Sequence, residues 1–119
     1  PDALRNNIDQ ISSDISHNGD DAYKLFKKAS ASDSPSQTAT VVDVFGDFQG
    51  DPGTDWTACG DTQASSESVM IKKATKAGTD SWTTSAGTDA NDCYWEITKI
   101  SDQDTHDYLT VGSHTFTGE

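Results

Sequence analysis

The run "NDCYWEITKI" (91–100) places a cysteine, two aromatics and two isoleucines in one short stretch of a chain otherwise dominated by Asp, Ser, Thr and Gly. The only other cysteine lies in "DWTACGD", so Cys59 and Cys93 allow one pairing. Neither belongs to a CxxC and no His stands at metal-ligand spacing from either, which argues against zinc and thioredoxin-like redox chemistry. A structural disulfide is the favoured reading, and two buried free thiols are the alternative. In the chain-entropy model, a crosslink closing about 35 residues contributes about 3–4 kcal/mol. That matters here because only 32% of the residues are apolar and 8% aromatic, leaving little core to oppose conformational entropy. Such a bond implies an oxidising compartment: secreted, periplasmic or cell-surface.

At 119 residues the chain has the size of a single globular domain, residues 1–119, with room for one modest core. Its formal charge is −12, a field that repels nucleic acid phosphates and anionic headgroups. Counting along the sequence gives 17 Asp against 3 Glu. Asp is a poor helix former and a good turn and cap residue, so this preference points to a loop-rich, largely β domain.

Apolar residues in the opening segment fall at Leu4, Ile8, Ile11 and Ile15. Gaps of four, three and four line one face of an α-helix. Pro1 suits a first helical turn, Asp2 complements the dipole, and "HNG" supplies a stop. "DDAYKLFKKAS" restarts the pattern, predicting a short second helix with Ala22, Leu25, Phe26 and Ala29 on one face. Lys24, Lys27 and Lys28 then lie near its C-terminal end, where the dipole favours cations; a basic patch for an acidic partner is the functional alternative.

Beyond the Ser/Pro turn "SASDSPSQ", β-branched and alternating patterns predict strands over 38–45, 67–75, 93–100 and 108–117. Residues 46–66 read as a long loop, with turns on both sides of Trp82. In the third strand Cys93, Trp95 and Ile97 share one face. The expected fold is therefore α+β: an N-terminal amphipathic helix and a short second helix packed on a four-stranded antiparallel sheet with one disulfide, helical over 1–30 and mainly β over 38–117. "AGTD" occurs at 77–80 and 86–89 as a pair of similar turns rather than an array.

Catalytic signatures are lacking. His17, His106 and His114 have no Ser or Cys motif beside them, and GxSxG, HExxH, P-loop and GxGxxG patterns are absent. The expectation is a non-enzyme without cofactor. Calcium is the one metal to weigh, through Asp47, Asp51 and Asp55 or through Asp102, Asp104 and Asp107. Neither set matches an EF-hand, and turn-forming Asp accounts for both. Trp56 and Trp82, placed in loops, are candidates for an exposed sugar-binding surface.

A helix with an apolar stripe, a variable loop, then an antiparallel four-stranded meander with a disulfide near its C-terminal part resembles the soluble domain of a type IV pilin or pseudopilin. "DCYWEITK", a turn and "YLTVGSHTFTGE" are similar to the final strands of some bacterial pilins, where a Cys-aromatic-aromatic strand precedes the C-terminus. "PDALRNN" is compatible with the point where the family's membrane-embedded half-helix passes a proline and becomes amphipathic. That hydrophobic half-helix and the prepilin cleavage site do not occur in this sequence, and Cys93 begins the third strand, whereas many pilins link the last strand to a C-terminal segment. Pro1 reads as the start of a processed or trimmed chain, with the half-helix either removed or carried on a separate subunit.

The resemblance implies a non-enzymatic structural subunit of a type IV pilus or pseudopilus-like filament, extracellular or on the cell surface and periplasmic before assembly. Its partners would be further copies or a companion pilin subunit, with membrane contact only through a helix upstream. Leu4, Ile8, Ile11 and Ile15 would face the sheet or neighbouring subunits. The competing expectation is a secreted or surface β-rich binding module for carbohydrate or calcium, which requires Trp56 or Trp82 exposed beside a groove.

Overall fold

A computed structural model describes residues 18–30, 39–100 and 115–118. Among them the strands come in two separate antiparallel pairs. Strand β1 (Tyr23–Lys27) pairs with β2 (Thr40–Phe45), and β3 (Ser68–Lys72) pairs with β4 (Trp95–Lys99). One short helix, α1 (Trp82–Ala86), lies between β3 and β4 in sequence.

This architecture overturns the expected α+β layout of helices on one four-stranded sheet: the regular elements among the described residues are four strands, in two two-stranded sheets, and a single turn of helix. "DDAYKLFKKAS" is β1 and not a second helix. An isolated helix of about ten residues is marginal in water, and Tyr23 and Phe26 are good strand residues. The β-branched Thr40, Val41, Val42 and Val44 form a ladder partner that local periodicity does not reveal. Strands expected over 38–45, 67–75 and 93–100 form with shorter bounds. Of the fourth, expected over 108–117, residues 108–114 lie outside the described residues and 115–117 form no strand. The opening helix with Leu4, Ile8, Ile11 and Ile15 also lies outside them.

The β1–β2 register slips between Leu25 and Phe26, which pair with Asp43 and Val41 and leave Val42 as the extra residue of a bulge. The backbone at Gly78 packs against this point so closely that an added Cβ would overlap the Val42 carbonyl oxygen. Strands β3 and β4 keep an unbroken register from Ser68 opposite Lys99 to Lys72 opposite Trp95.

Ser81 caps α1, its hydroxyl accepting a hydrogen bond from the Thr84 N–H at 3.2 Å. Gly87 ends the helix at φ 62°, donating its N–H to the Thr83 carbonyl. The turn signals around Trp82 thus correspond to the cap and stop of a short helix.

Small residues form the densest part of the core. Ala58, Ala64, Ala86, Ser85 and Cys93 are buried, and Cys59, Met70, Trp82, Trp95 and Ile97 pack against the alanines. Alanines bury little apolar area each, so the burial term is modest at about 25 cal/mol per Å².

Candidate functional site

The disulfide forms between Cys59 and Cys93, with Cα atoms 5.1 Å apart and a separation of 34 positions in sequence. Local geometry brings Cys59 to its partner. Ala58 and Asp61 exchange backbone hydrogen bonds of 3.0 and 2.9 Å, and the two residues between them, Cys59 and Gly60, both have positive φ, 57° and 80°. That is the pattern of a tight two-residue hairpin turn. Gly60 adopts such a conformation readily, whereas Cys59 does so at a cost that the surrounding bonds must offset.

Backbone hydrogen bonds stitch the two sides around the sulfurs. Cys59 N–H donates to the Ala86 carbonyl at 2.8 Å, Tyr94 N–H to Ser85 at 2.9 Å, and Lys73 N–H to Tyr94 at 2.8 Å. Both sulfurs lie 3.4 Å from the Trp95 carbonyl oxygen. A disulfide sulfur carries no proton, so these are contacts and not hydrogen bonds. The Lys73 ammonium donates to the carbonyls of Ala90 and Cys93 at 2.7 and 2.8 Å, closing the turn before β4.

Asp92 organises that turn. Its carboxylate accepts from the N–H and hydroxyl of Thr88 and from the Asp89 N–H, at 2.7 to 2.9 Å. The Asp89 N–H, followed by the Thr88 hydroxyl, holds the Asp92 carboxyl below the ordinary Asp range. Asp61 is lowered likewise, first by the Gln63 N–H and then by Lys99, whose ammonium is 3.1 Å away.

The tryptophans form a cluster inside the molecule. Trp82 stacks near Phe45, Trp56 and Trp95 with ring centroids at 5.3, 5.8 and 6.2 Å, and Phe45 meets Trp95 edge-on at 5.8 Å. Trp56 is only 6% exposed, and its indole N–H donates to the Asp21 carbonyl at 3.1 Å. The expectation of an exposed Trp56 is therefore corrected: a ring in a long loop is pulled inward by burial and by a hydrogen-bond acceptor 35 positions away. Trp82 is half-buried within the same cluster. Trp95 donates its indole N–H to the buried Ser85 hydroxyl at 2.8 Å.

Lys72 joins the two sheets. Its ammonium pairs with the Asp43 carboxylate of β2 and lies 5.1 Å from the Trp95 ring. Nothing in the sequence marked Lys72 or Ser85, since their roles come from partners brought near by folding.

The calcium candidates occupy their own turns. Asp47 accepts from the Gln49 N–H at 2.8 Å, and Asp51 from the Gly53 N–H at 2.8 Å. No group of three or more Asp, Glu, His or Cys is arranged to hold a metal among the described residues. Asp102, Asp104 and Asp107 lie outside those residues. An open hollow of about 270 Å³ lined by Tyr23, Phe45, Ser65, Ser68 and Met70 separates the sheets on one side. No helix among the described residues is long and apolar enough to cross a membrane.

Comparison of the chain with protein-family models, characterised proteins and solved structures finds no match.

Proposed function

We propose that the chain is a non-enzymatic structural subunit of an extracellular filament of pilin type, assembled with copies of itself or with a companion subunit. The observation that carries this reading is the Cys59–Cys93 crosslink set in a core of alanines and serine. A covalent tie with dense backbone stitching suits a small domain exposed to proteases and shear outside the cell, where disulfides persist. The Cys-Tyr-Trp run leading into β4 adds the similarity to the last strands of pilins. The helix-on-sheet layout expected of that family forms no part of the argument. Placement at the cell surface, with a periplasmic stage before assembly and any membrane contact through an upstream helix, belongs to the same proposal.

The binding-module alternative draws less support. Trp56 and Trp82 pack on each other and on Phe45 instead of lining a groove, and Asp47 and Asp51 serve their local turns.

Immunogold electron microscopy of the native cells tests the proposal. Labelling along surface filaments, with the chain migrating as an intramolecularly oxidised species on non-reducing gels, is the expected result. Filaments that persist unlabelled, or a chain retained in the cytoplasm with both thiols reduced, would overturn it.

A further inference from the structure

The two sulfurs of the crosslink have different surroundings. The β3–β4 ladder continues one step past Lys72, where the Lys73 N–H donates to the Tyr94 carbonyl at 2.8 Å, and this brings the Lys73 side chain to the entry of β4. An ammonium has three N–H donors. The carbonyls of Ala90 and Cys93 accept from it at 2.7 and 2.8 Å, and its Nζ also stands 3.5 Å from Cys93 Sγ. The cation thus faces one sulfur of the pair. The Trp95 carbonyl oxygen, by contrast, is shared by both sulfurs at 3.4 Å.

Burial differs as well. Cys93 is fully buried, whereas Cys59 is half-buried in the Ala58–Asp61 turn beside the exposed Gly60. Thiol–disulfide exchange depends on which sulfur an attacking thiolate can reach and on how stable the departing thiolate is. Access favours attack at Cys59. Departure favours Cys93: burial alone raises the pKa of a thiol, and an ammonium beside the sulfur opposes that rise by stabilising the thiolate. The adjacent Asp92 carboxylate is taken up by Thr88 and the Asp89 N–H. Both preferences select the same direction of opening.

We infer that Cys59 is the exchange site of the crosslink, the sulfur that takes up a small monothiol of the glutathione class, with Cys93 as the leaving and returning thiolate beside Lys73. In the opening step the monothiol's thiolate forms a new S–S bond with Cys59 Sγ. The Cys59–Cys93 bond breaks and its electron pair leaves on Cys93 Sγ. One thiolate is consumed and one is produced, so the step needs no further oxidant, reductant or proton donor. Closure is the reverse: the Cys93 thiolate attacks Cys59 Sγ of the mixed disulfide and expels the monothiol as its thiolate. In an oxidising compartment closure prevails and completes the crosslink. The inference is independent of the filament reading, since it concerns how the bond forms and opens wherever thiols reach the domain.

The test exposes the oxidised protein, without denaturant, to a series of reduced glutathione concentrations. The reaction is quenched early with acid, free thiols are blocked with a maleimide, and the peptides are mapped by mass spectrometry. Expected is glutathione on Cys59 and maleimide on Cys93, favoured about tenfold or more over the converse, at a rate proportional to glutathione. Glutathione mainly on Cys93, equal labelling of the two, or a rate independent of glutathione and therefore set by unfolding, would overturn the inference. Lys73→Met should slow the exchange about threefold to tenfold, and Lys73→Arg should restore most of the rate. A lysine that only fastens the turn requires the opposite sign, because its loss would loosen the turn and speed opening. Unchanged or faster exchange in Lys73→Met would therefore overturn the part given to Lys73, while the wild-type map decides the site whatever the stability of the variants.

Discussion

The β1–β2 hairpin and the crosslinked unit from Trp56 to Ile100 hold themselves together by different means. The crosslinked unit buries three alanines, a serine and a cysteine, and ties them with a disulfide and backbone bonds between segments distant in sequence. The hairpin leaves Leu25 and Phe26 in solvent, contains a bulge, and meets the rest through Phe45, Val44, Asp43 and the close approach of Gly78. Covalent closure supports a small core in one region, and the other leaves apolar and cationic side chains exposed.

The sharpest way to break that contrast is to remove the crosslink. Cys59→Ser/Cys93→Ser should lose about 3–4 kcal/mol of unfolding free energy, read from the urea midpoint, with amide protection falling most over 56–100. A loss under 1 kcal/mol would mean that the alanine core suffices alone.

Next in size, Gly87→Ala should cost about 2–3 kcal/mol. The residue sits at φ 62°, and an added Cβ would come within 2.6 Å of Cys93 Cα. A thermal melt equal to wild type would show that the turn relaxes freely.

Lys72→Met separates the two regions electrostatically. The pair with Asp43 is partly buried, at 13% and 28% side-chain exposure, between the surface and fully buried cases. A loss of about 1–2 kcal/mol is expected, with faster hydrogen exchange in β1 and β2 than in β3 and β4. Equal acceleration in both sheets would argue against two semi-independent regions.

Acid should act on the crosslinked unit through Asp92 and Asp61. Their folded-state carboxyls titrate below the ordinary value, so their stabilisation is fully present above the unfolded pKa of about 3.9. It is lost as pH falls through the lowered folded value. Asp92→Asn should flatten stability against pH in that acid window by lowering stability at neutral pH, where the carboxylate's contribution is fully present, towards its acid value; an unaltered acid profile would exclude Asp92 as a contributor. Smallest of all, Leu25→Ser should shift folding stability by under about 0.5 kcal/mol, since that side chain is 63% exposed; a larger loss of the urea midpoint would show that Leu25 packs on the hairpin.

Legibility from sequence followed the range of the interactions. "TVVDVF" and "SVMIK" read as strands because β-branched residues report a pleated environment locally, and both form. The Cys93, Trp95, Ile97 alternation identified a shared face, and Trp95 and Ile97 do pack against the buried alanines. "DDAYKLFKKAS" misled because spacings of three and four also fit a strand whose partner lies some fifteen residues away. Trp56 misled for a related reason: its acceptor, the Asp21 carbonyl, is remote in sequence. Ser81 and Gly87 did carry a helix start and stop, but a single turn of helix leaves too short a periodic signal to separate from a loop.

Composition and the two cysteines alone determined that this chain has a thin core, a strongly acidic character and one possible pairing of thiols 34 positions apart. Those properties depend on which residues are present and on how many partners each thiol has. Tertiary structure alone decided that the strands divide into two pairs, that the tryptophans turn inward, and that Lys72 pairs with Asp43. Each of these depends on which distant segment supplies a hydrogen-bond acceptor, a ring face or a carboxylate, and such partners are specified only when the chain closes on itself.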